Sequence, residues 1–172
     1  MEPITAERCT LRALEPTDLE LLYAWENDPR VWSVSGTLAP TSRERLRSFI
    51  EEQNYDIYAT RQMRLVVEAE GVAIGTLDVL EFDPQHRRFG LGILIYDTSH
   101  RRMGYARSAI EAIVSYGREV LHVHQVWASV EEDNEASLAL FRSCGFQESG
   151  RRKDWLLRPN GYHDCIEFQL LL

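Results

Sequence analysis

Cysteine is scarce in this chain. Cys9, Cys144 and Cys165 are an odd number, scattered, without the spacing of a metal site. That usage fits reduced thiols in a reducing compartment and gives no disulfide framework. No apolar run approaches the length that spans a bilayer, and residues 1–10 lack the apolar core of a signal peptide. A cytoplasmic location is therefore the expectation. Internal repeats and low-complexity tracts are absent. A surplus of cations is lacking too, since the net charge is -8. Such a field repels nucleic acid and anionic membrane, so neither is expected as a partner. It would draw cationic amines, although solubility alone accounts for an acidic excess of this size.

What is present belongs to an ordinary globular protein, 44% hydrophobic and 27% charged. A length of 172 residues suits one domain with one sizeable core, spanning residues 1–172. Residues 10–14 read as a short edge strand. Pro16-Thr17-Asp18 starts a helix with Leu19, Leu22 and Trp25 on one stripe, and Asn27-Asp28-Pro29 ends it. Residues 31–40 read as irregular. Thr41 or Ser42 caps a second helix, whose apolar face is Leu46, Phe49 and Ile50. Strand signals follow at residues 63–69, 72–82 and 89–96, joined by Glu70-Gly71 and Asp83-Pro84-Gln85-His86. Phe89, Leu91, Ile93 and Ile95 share one face of the third strand, and Gly90 and Gly92 the other. Glycines on one face admit a close neighbour or mark a bulge. A well-patterned helix covers residues 105–120, a strand 125–130, and a helix starting at Asp133-Asn134 stops at Cys144-Gly145. Residues 146–155 and 162–172 close the chain as a hairpin. This order predicts an α/β (α+β) domain, a mixed central β-sheet with helices on both faces.

Residues 101–106, Arg101-Arg102-Met103-Gly104-Tyr105-Ala106, carry the most functional information. A strand leads in and a helix leads out. The first amides of a helix have no partner inside it, and the helix dipole favours an anion there. Gly104 lets a ligand approach the backbone, and the arginines offer forked donors. The turn is a candidate phosphate cradle.

Three motifs in this order carry a resemblance: Arg101-x-x-Gly104-x-Ala106, Val130-x-x-x-Asn134-x-x-Ser137, and Cys144-Gly145-Phe146. With the order of elements, they resemble the GNAT superfamily of acyl-CoA-dependent N-acetyltransferases. Within it, the chain is similar to the branch of ribosomal-protein alanine acetyltransferases and spermidine (diamine) acetyltransferases. Asn160-Gly161-Tyr162-His163-Asp164 fits that branch too. The resemblance implies the GNAT fold, whose sheet contains a splayed strand pair with the pantetheine arm in the gap. It implies backbone contacts from Leu94, Ile95 and Tyr96 to that arm, and a diphosphate cradle of amides from Arg101, Arg102, Met103, Gly104, Tyr105, Ala106 and Arg107. Asn134 would bind the pantetheine amides, with a simple helix cap as its other reading. Phe141 stands at the cofactor position where spermidine acetyltransferases carry a tyrosine acid. Acetyl-CoA is the expected co-substrate and no metal is expected.

Acetyl transfer needs a deprotonated amine, donors for the developing oxyanion and a proton for the leaving thiolate. Phe141 cannot donate, and glycines occupy the strand where many relatives carry a glutamate base. Ser137 is the substitute acid, or else a surface serine of the first helical turn. Asp154 is the first candidate base, with Glu81, Asp83 and His163 as alternatives. Trp25, Glu26, Asp28 and Trp32, with Glu81, are expected to line the acceptor opening, where aromatics and carboxylates suit a cation. Trp155 and Tyr162 read as packing residues. The acceptor is a small amine such as a polyamine, or a peptide N-terminus or lysine. A binding module without catalysis is the remaining reading. Residues 155–162 are a candidate surface for a homodimer.

Overall fold

A computed structural model describes residues 3–35, 39–53 and 55–172. Two short strands, β1 (Ile4–Thr5) and β2 (Thr10–Ala13), precede helices α1 (Leu19–Glu26), α2 (Pro29–Ser35), α3 (Arg43–Glu52) and α4 (Ile57–Thr60). Strands β3 (Met63–Ala69), β4 (Val72–Asp83) and β5 (Arg88–Ile95) form an antiparallel meander. Helix α5 (Tyr105–Glu119), β6 (Gln125–Glu131), α6 (Glu135–Ser143) and the hairpin β7 (Gln147–Arg158) and β8 (Gly161–Leu171) complete the chain. The eight strands form one sheet in the order β1-β2-β3-β4-β5-β6-β8-β7. Among the described residues only β5 and β6 pair in parallel, so the sheet is mixed. The fold is the expected mixed α/β one.

Alternation along β3 shows how the layers form. Leu65 and Val67 join a cluster with Ala109, Ile110 and Ile113 of α5 and Leu138 and Phe141 of α6. Val66, between them, joins Leu22 of α1 and Leu46 and Ile50 of α3. Successive side chains of a strand point to opposite faces, so α5 and α6 cover one face and α1 and α3 the other. Ile110 and Ile113 are fully buried, contributing about 1.5–3 kcal/mol each. Among the described residues no helix is long and apolar enough to cross a membrane.

Four sequence expectations change. Residues 31–35 are helical rather than irregular: Pro29 ends α1 but also opens α2, because its fixed φ suits a first helical position. The Asp28 Oδ1 accepts from the Arg30 amide at 2.9 Å and serves as the cap. Residues 36–38 of that stretch lie outside the described residues. Strand β2 is not an edge, since β1 covers it. The short helix α4 was not expected. The closing hairpin runs to Arg158 and Gly161, longer than the sequence pattern indicated. Of the two expected cap candidates for α3, Ser42 takes the role, accepting from the Arg45 amide.

Candidate active site

Pairing between β5 and β6 consists of Arg88 with Gln125, Phe89 with Val126 and Gly90 with Trp127. Beyond that point both strands continue, β5 to Ile95 and β6 to Glu131, without pairing. The strands have parted. The Tyr96 amide donates to the Ile74 carbonyl at 3.0 Å. Ladder bonds alternate along an antiparallel strand, so the backbone groups of Gly92 and Leu94 face β4. Those of Leu91, Ile93 and Ile95 face the opening. A cavity of about 750 Å³ occupies it, lined by Leu91, Gly92 and Ile93 on one side and Ser129, Val130 and Glu131 on the other. Of the three residues expected to meet a cofactor arm, Tyr96 and Leu94 spend their amides inside the sheet. Only Ile95 faces the gap, and its carbonyl accepts from the Arg101 Nε at 2.9 Å. Leu91 and Ile93 went unnoticed in the sequence because strand parity depends on register.

The two strand glycines differ. A Cβ on Gly90 would stand 2.5 Å from the Trp127 ring, so this glycine makes room for the indole. A Cβ on Gly92 would meet nothing nearer than Leu80 at 3.8 Å and Asp78 at 3.9 Å. Gly92 leaves open space beside the cavity.

Helix α6 delivers its N-terminal residues to the same place. The Asn134 Oδ1 accepts from the Ser137 amide at 3.1 Å, which makes Asn134 a helix cap, and both residues line the cavity. Among the described residues the Ser137 hydroxyl has no hydrogen-bond partner. Phe141 also lines the cavity while packing edge-on to Phe146 and near-parallel to Phe168, at 5.1 and 6.0 Å.

The β7–β8 hairpin forms the remaining wall with Trp155, Leu156, Arg158 and Asn160. Trp155, read as packing from sequence, is 56% exposed. Arg158 grips Glu131 at 2.8 and 2.9 Å and holds its carboxyl below the usual range. The His163 ring is fixed at both nitrogens, by Asp133 at 2.6 Å and Asn160 at 2.9 Å. Arg151 joins Asp164 and Glu132. Glu132, Asp133 and His163 bring ligand atoms within 4.8 Å of one another, but Arg151 and the Asp164 amide already occupy Glu132.

The expected bases lie elsewhere. Asp154 sits at a left-handed φ of 50° where β7 loses register, is exposed, and its amide donates to Asp164 at 2.8 Å. Glu81, at φ 47°, is turned out by the β4 irregularity. The Asp83 Oδ1 accepts from the His86 amide, which holds that carboxyl low. None of the three lines the cavity.

The expected acceptor residues form a separate group against β3, β4 and β5. Trp25 stacks on Tyr96 at 4.3 Å and 3°. Arg64 lies between Glu26 at 2.7 Å and Asp78 at 2.6 Å. Burial alone would lower the Arg64 guanidinium, and the two carboxylates outweigh it. Burial, and then the Glu26 charge, pushes the Tyr96 phenol up to about 12. The Trp32 Nε1 donates to the Glu26 carbonyl at 2.8 Å, and Asp28 pairs with Arg30 at 2.6 Å. None of Trp25, Glu26, Asp28 and Trp32 is in the cavity wall. Arg64 and Asp78 escaped notice because only tertiary pairing singles them out.

At the turn, Gly104 takes φ 85° and stands as the N-cap of α5 without a capping side chain. The Ser108 amide bonds to the Gly104 carbonyl at 3.0 Å, so the amides of Tyr105, Ala106 and Arg107 precede the first intrahelical bond. Arg102 also has a left-handed φ, 61°. Met103 is 51% exposed. Of the expected cations, Arg101 turns to the sheet and Arg107 pairs with Glu111 at 2.8 Å. Arg8 packs 3.3 Å from a Cβ built on Gly104 and supplies a cation the sequence did not flag. The arrangement combines an anion cradle, a slot with free strand edges, and polar groups at the slot's far end.

Comparison with known proteins gives the same reading. Residues 8–147 match the family model described as Acetyltransferase (GNAT) domain. The chain is 30% identical over 174 residues, 99% of its length and 97% of the relative, to the uncharacterized N-acetyltransferase p20 of Bacillus licheniformis. It is 28% identical over 159 residues, 91% of its length and 93% of the relative, to the ribosomal protein bS18-alanine N-acetyltransferase of Escherichia coli (strain K12). The crystal structure of spermidine N-acetyltransferase from Vibrio cholerae in complex with CoA and spermine superposes with a TM-score of 0.85, at 26% identity, over 95% of both chains.

Proposed function

We propose, from the premise that this chain belongs to the acetyltransferase (GNAT) domain family, that it moves an acetyl group directly from acetyl-CoA to the primary amine of a small acceptor of the polyamine class. The chain is an N-acetyltransferase, so the reading of a binding module without catalysis is set aside. The observation that carries the proposal is the parting of β5 from β6 after Gly90 and Trp127, over a cavity bounded by α6 and the closing hairpin.

The pantetheine arm of the co-substrate lies in that opening, pairing with the backbone edges of Leu91 and Ile93 and with the Ile95 amide as an added strand would. The diphosphate rests on the amides of Tyr105, Ala106 and Arg107, where the helix dipole favours an anion. The same strand edge offers amide donors to the oxyanion that forms on the thioester carbonyl. Ser137 presents a hydroxyl to the departing thiolate. Holding both reactants in one slot supplies much of the rate through orientation.

The acceptor class rests on two supports. A relative of similar structure holds spermine. Beside the opening, Glu26 and Asp78 share the single cation Arg64, which leaves one net negative charge near the Trp25–Tyr96 stack for an ammonium group. A second reading, acetylation of a peptide N-terminus, has the bS18-alanine relative in its favour. A cytoplasmic site of action fits either acceptor.

The test follows thiol release from acetyl-CoA with polyamines, an alanine-starting peptide, or no acceptor. Release with polyamine is the expected result. Release with peptide alone selects the second reading, and no release with any amine overturns both.

A further inference from the structure

Neither Gly90 nor Gly92 can accept a proton, and Asp154, Glu81 and Asp83 stand outside the cavity. The ammonium of an acceptor still has to lose its proton before it attacks. Of the carboxylates that line the cavity, Glu131 is clamped by Arg158, and Asp133 is bound to His163. Glu167 reaches the cavity through an intermediary. Ser129 lines it, and its hydroxyl donates to the Glu167 Oε1 at 2.7 Å.

The position of this pair is set by the sheet. Gly90 and Trp127 are the last partners before β5 and β6 part, so Ser129, two residues on, stands across the opening from Gly92. Trp127 and Ser129 point to the same face of β6, the face on which the indole covers Gly90. Gly92 offers no side chain to block an amine there. Glu167 is opposite Ser129 in the β6–β8 register, which fixes the pair across one rung of the sheet.

We propose that Ser129 and Glu167 together form the proton acceptor of the reaction, the serine touching the substrate amine and the glutamate receiving the proton. The inference rests on the acetyltransferase reading above. In the step, an N–H bond of the acceptor ammonium breaks toward the Ser129 Oγ as the serine O–H proton passes to the Glu167 carboxylate. The freed lone pair forms the C–N bond at the thioester carbonyl. The C–S bond breaks on collapse, the thiolate takes the Ser137 hydroxyl proton, and the second nitrogen proton restores Ser137. Glu167 returns its proton to solvent, so amine cation and thioester become amide, thiol and one proton.

Glu167 is itself paired with Arg152 of β7, at 3.2 and 3.4 Å, a looser contact than the 2.8 and 2.9 Å grip of Arg158 on Glu131. The other titratable neighbour is Cys165 on β8, which Glu131 of β6 also faces. Burial pushes the Cys165 thiol up, so it stays protonated and does not compete for the proton.

The test measures kcat and KM against pH for the wild type, Ser129→Ala, Glu167→Gln and Glu167→Asp, with an amine that the wild type acetylates. The glutamine keeps an acceptor oxygen for Ser129 but takes no proton. The expected result is a loss of about 100-fold in kcat for Ser129→Ala and Glu167→Gln near neutral pH. The acetyl-CoA KM stays the same, the acid limb of the Glu167→Gln profile moves to higher pH, and Glu167→Asp recovers part of the rate. Ser129 is exposed, so its variant keeps the fold and carries the test if Glu167→Gln does not. Rates within about twofold of wild type with an unmoved pH profile overturn the proposal, as does an equal rise of the acetyl-CoA KM. A wild type inactive toward every amine overturns the parent reading instead, and this proposal with it.

Discussion

Alanine placed at Gly90 and at Gly92 should push stability in opposite directions, although the two residues share one face of β5. Neither has a left-handed φ, so any difference comes from surroundings. At Gly90 the new Cβ lies 2.5 Å from the Trp127 Cζ2 and 2.8 Å from two further ring atoms. Overpacking of this kind costs about 1–3 kcal/mol. For a chain of this size that lowers the melting temperature by about 2–12 °C. At Gly92 the nearest atom is 3.8 Å away, so alanine meets only ordinary contact. Reduced freedom of the unfolded chain then stabilises by about 0.4–1 kcal/mol. Activity reverses the ranking for larger residues. Gly92→Val fills the open space beside the cavity, and a displacement of about 1 Å in a reactant costs roughly 100-fold. Scanning calorimetry and the thiol-release assay read both effects. Adding Trp127→Ala to Gly90→Ala should recover about 0.5–3 kcal/mol as coupling. Equal melting temperatures for the two alanine variants, or an additive double variant, would refute the reasoning.

Other expectations concern the cradle, the acid and the pH response. Gly104→Val forces a branched residue to φ 85° against Arg8 and should weaken CoA binding at least about tenfold, a shift of roughly 1.4 kcal/mol, by calorimetric titration, with the fold retained by circular dichroism. Ser137→Ala should lower kcat by about 10–100-fold with CoA affinity unchanged; an unaltered rate removes Ser137 from the reaction. Asp18 is a buried carboxylate whose burial would raise its pKa, but Arg12 at 2.8 Å and the Glu15 amide outweigh that and hold it low. A depressed carboxyl pKa stabilises the fold above the unfolded value, near 3.9, and that stability fades as pH falls through the folded value. Asp18→Asn should therefore melt well below wild type at neutral pH, with the gap closing in acid. A gap that is constant with pH would contradict this.

The strand, turn and helix around Gly104 were legible because each carries a local signal: alternation, a glycine, and a stripe at helical spacing. The parting of β5 and β6 was legible only as an implication of family resemblance, since nothing within either strand marks where pairing stops. Helix α2 was hidden because Pro29 both ends one helix and begins the next. Site details failed where tertiary pairing decides. Asp154 looks available in sequence but is turned out at an irregular rung of β7. Arg64 and Asp78 look like scattered charges until β3 and β4 align them. Ser129 is an exposed strand serine with no local distinction, and it becomes notable only when the register sets Glu167 opposite.

Hydrogen–deuterium exchange with and without CoA tests most directly whether the gap between β5 and β6 is the cofactor slot. The amides of Leu91, Ile93 and Ile95, and those of Tyr105, Ala106 and Arg107, should gain protection together on binding. CoA that binds while both segments exchange as before, or that fails to bind at all, would contradict the account.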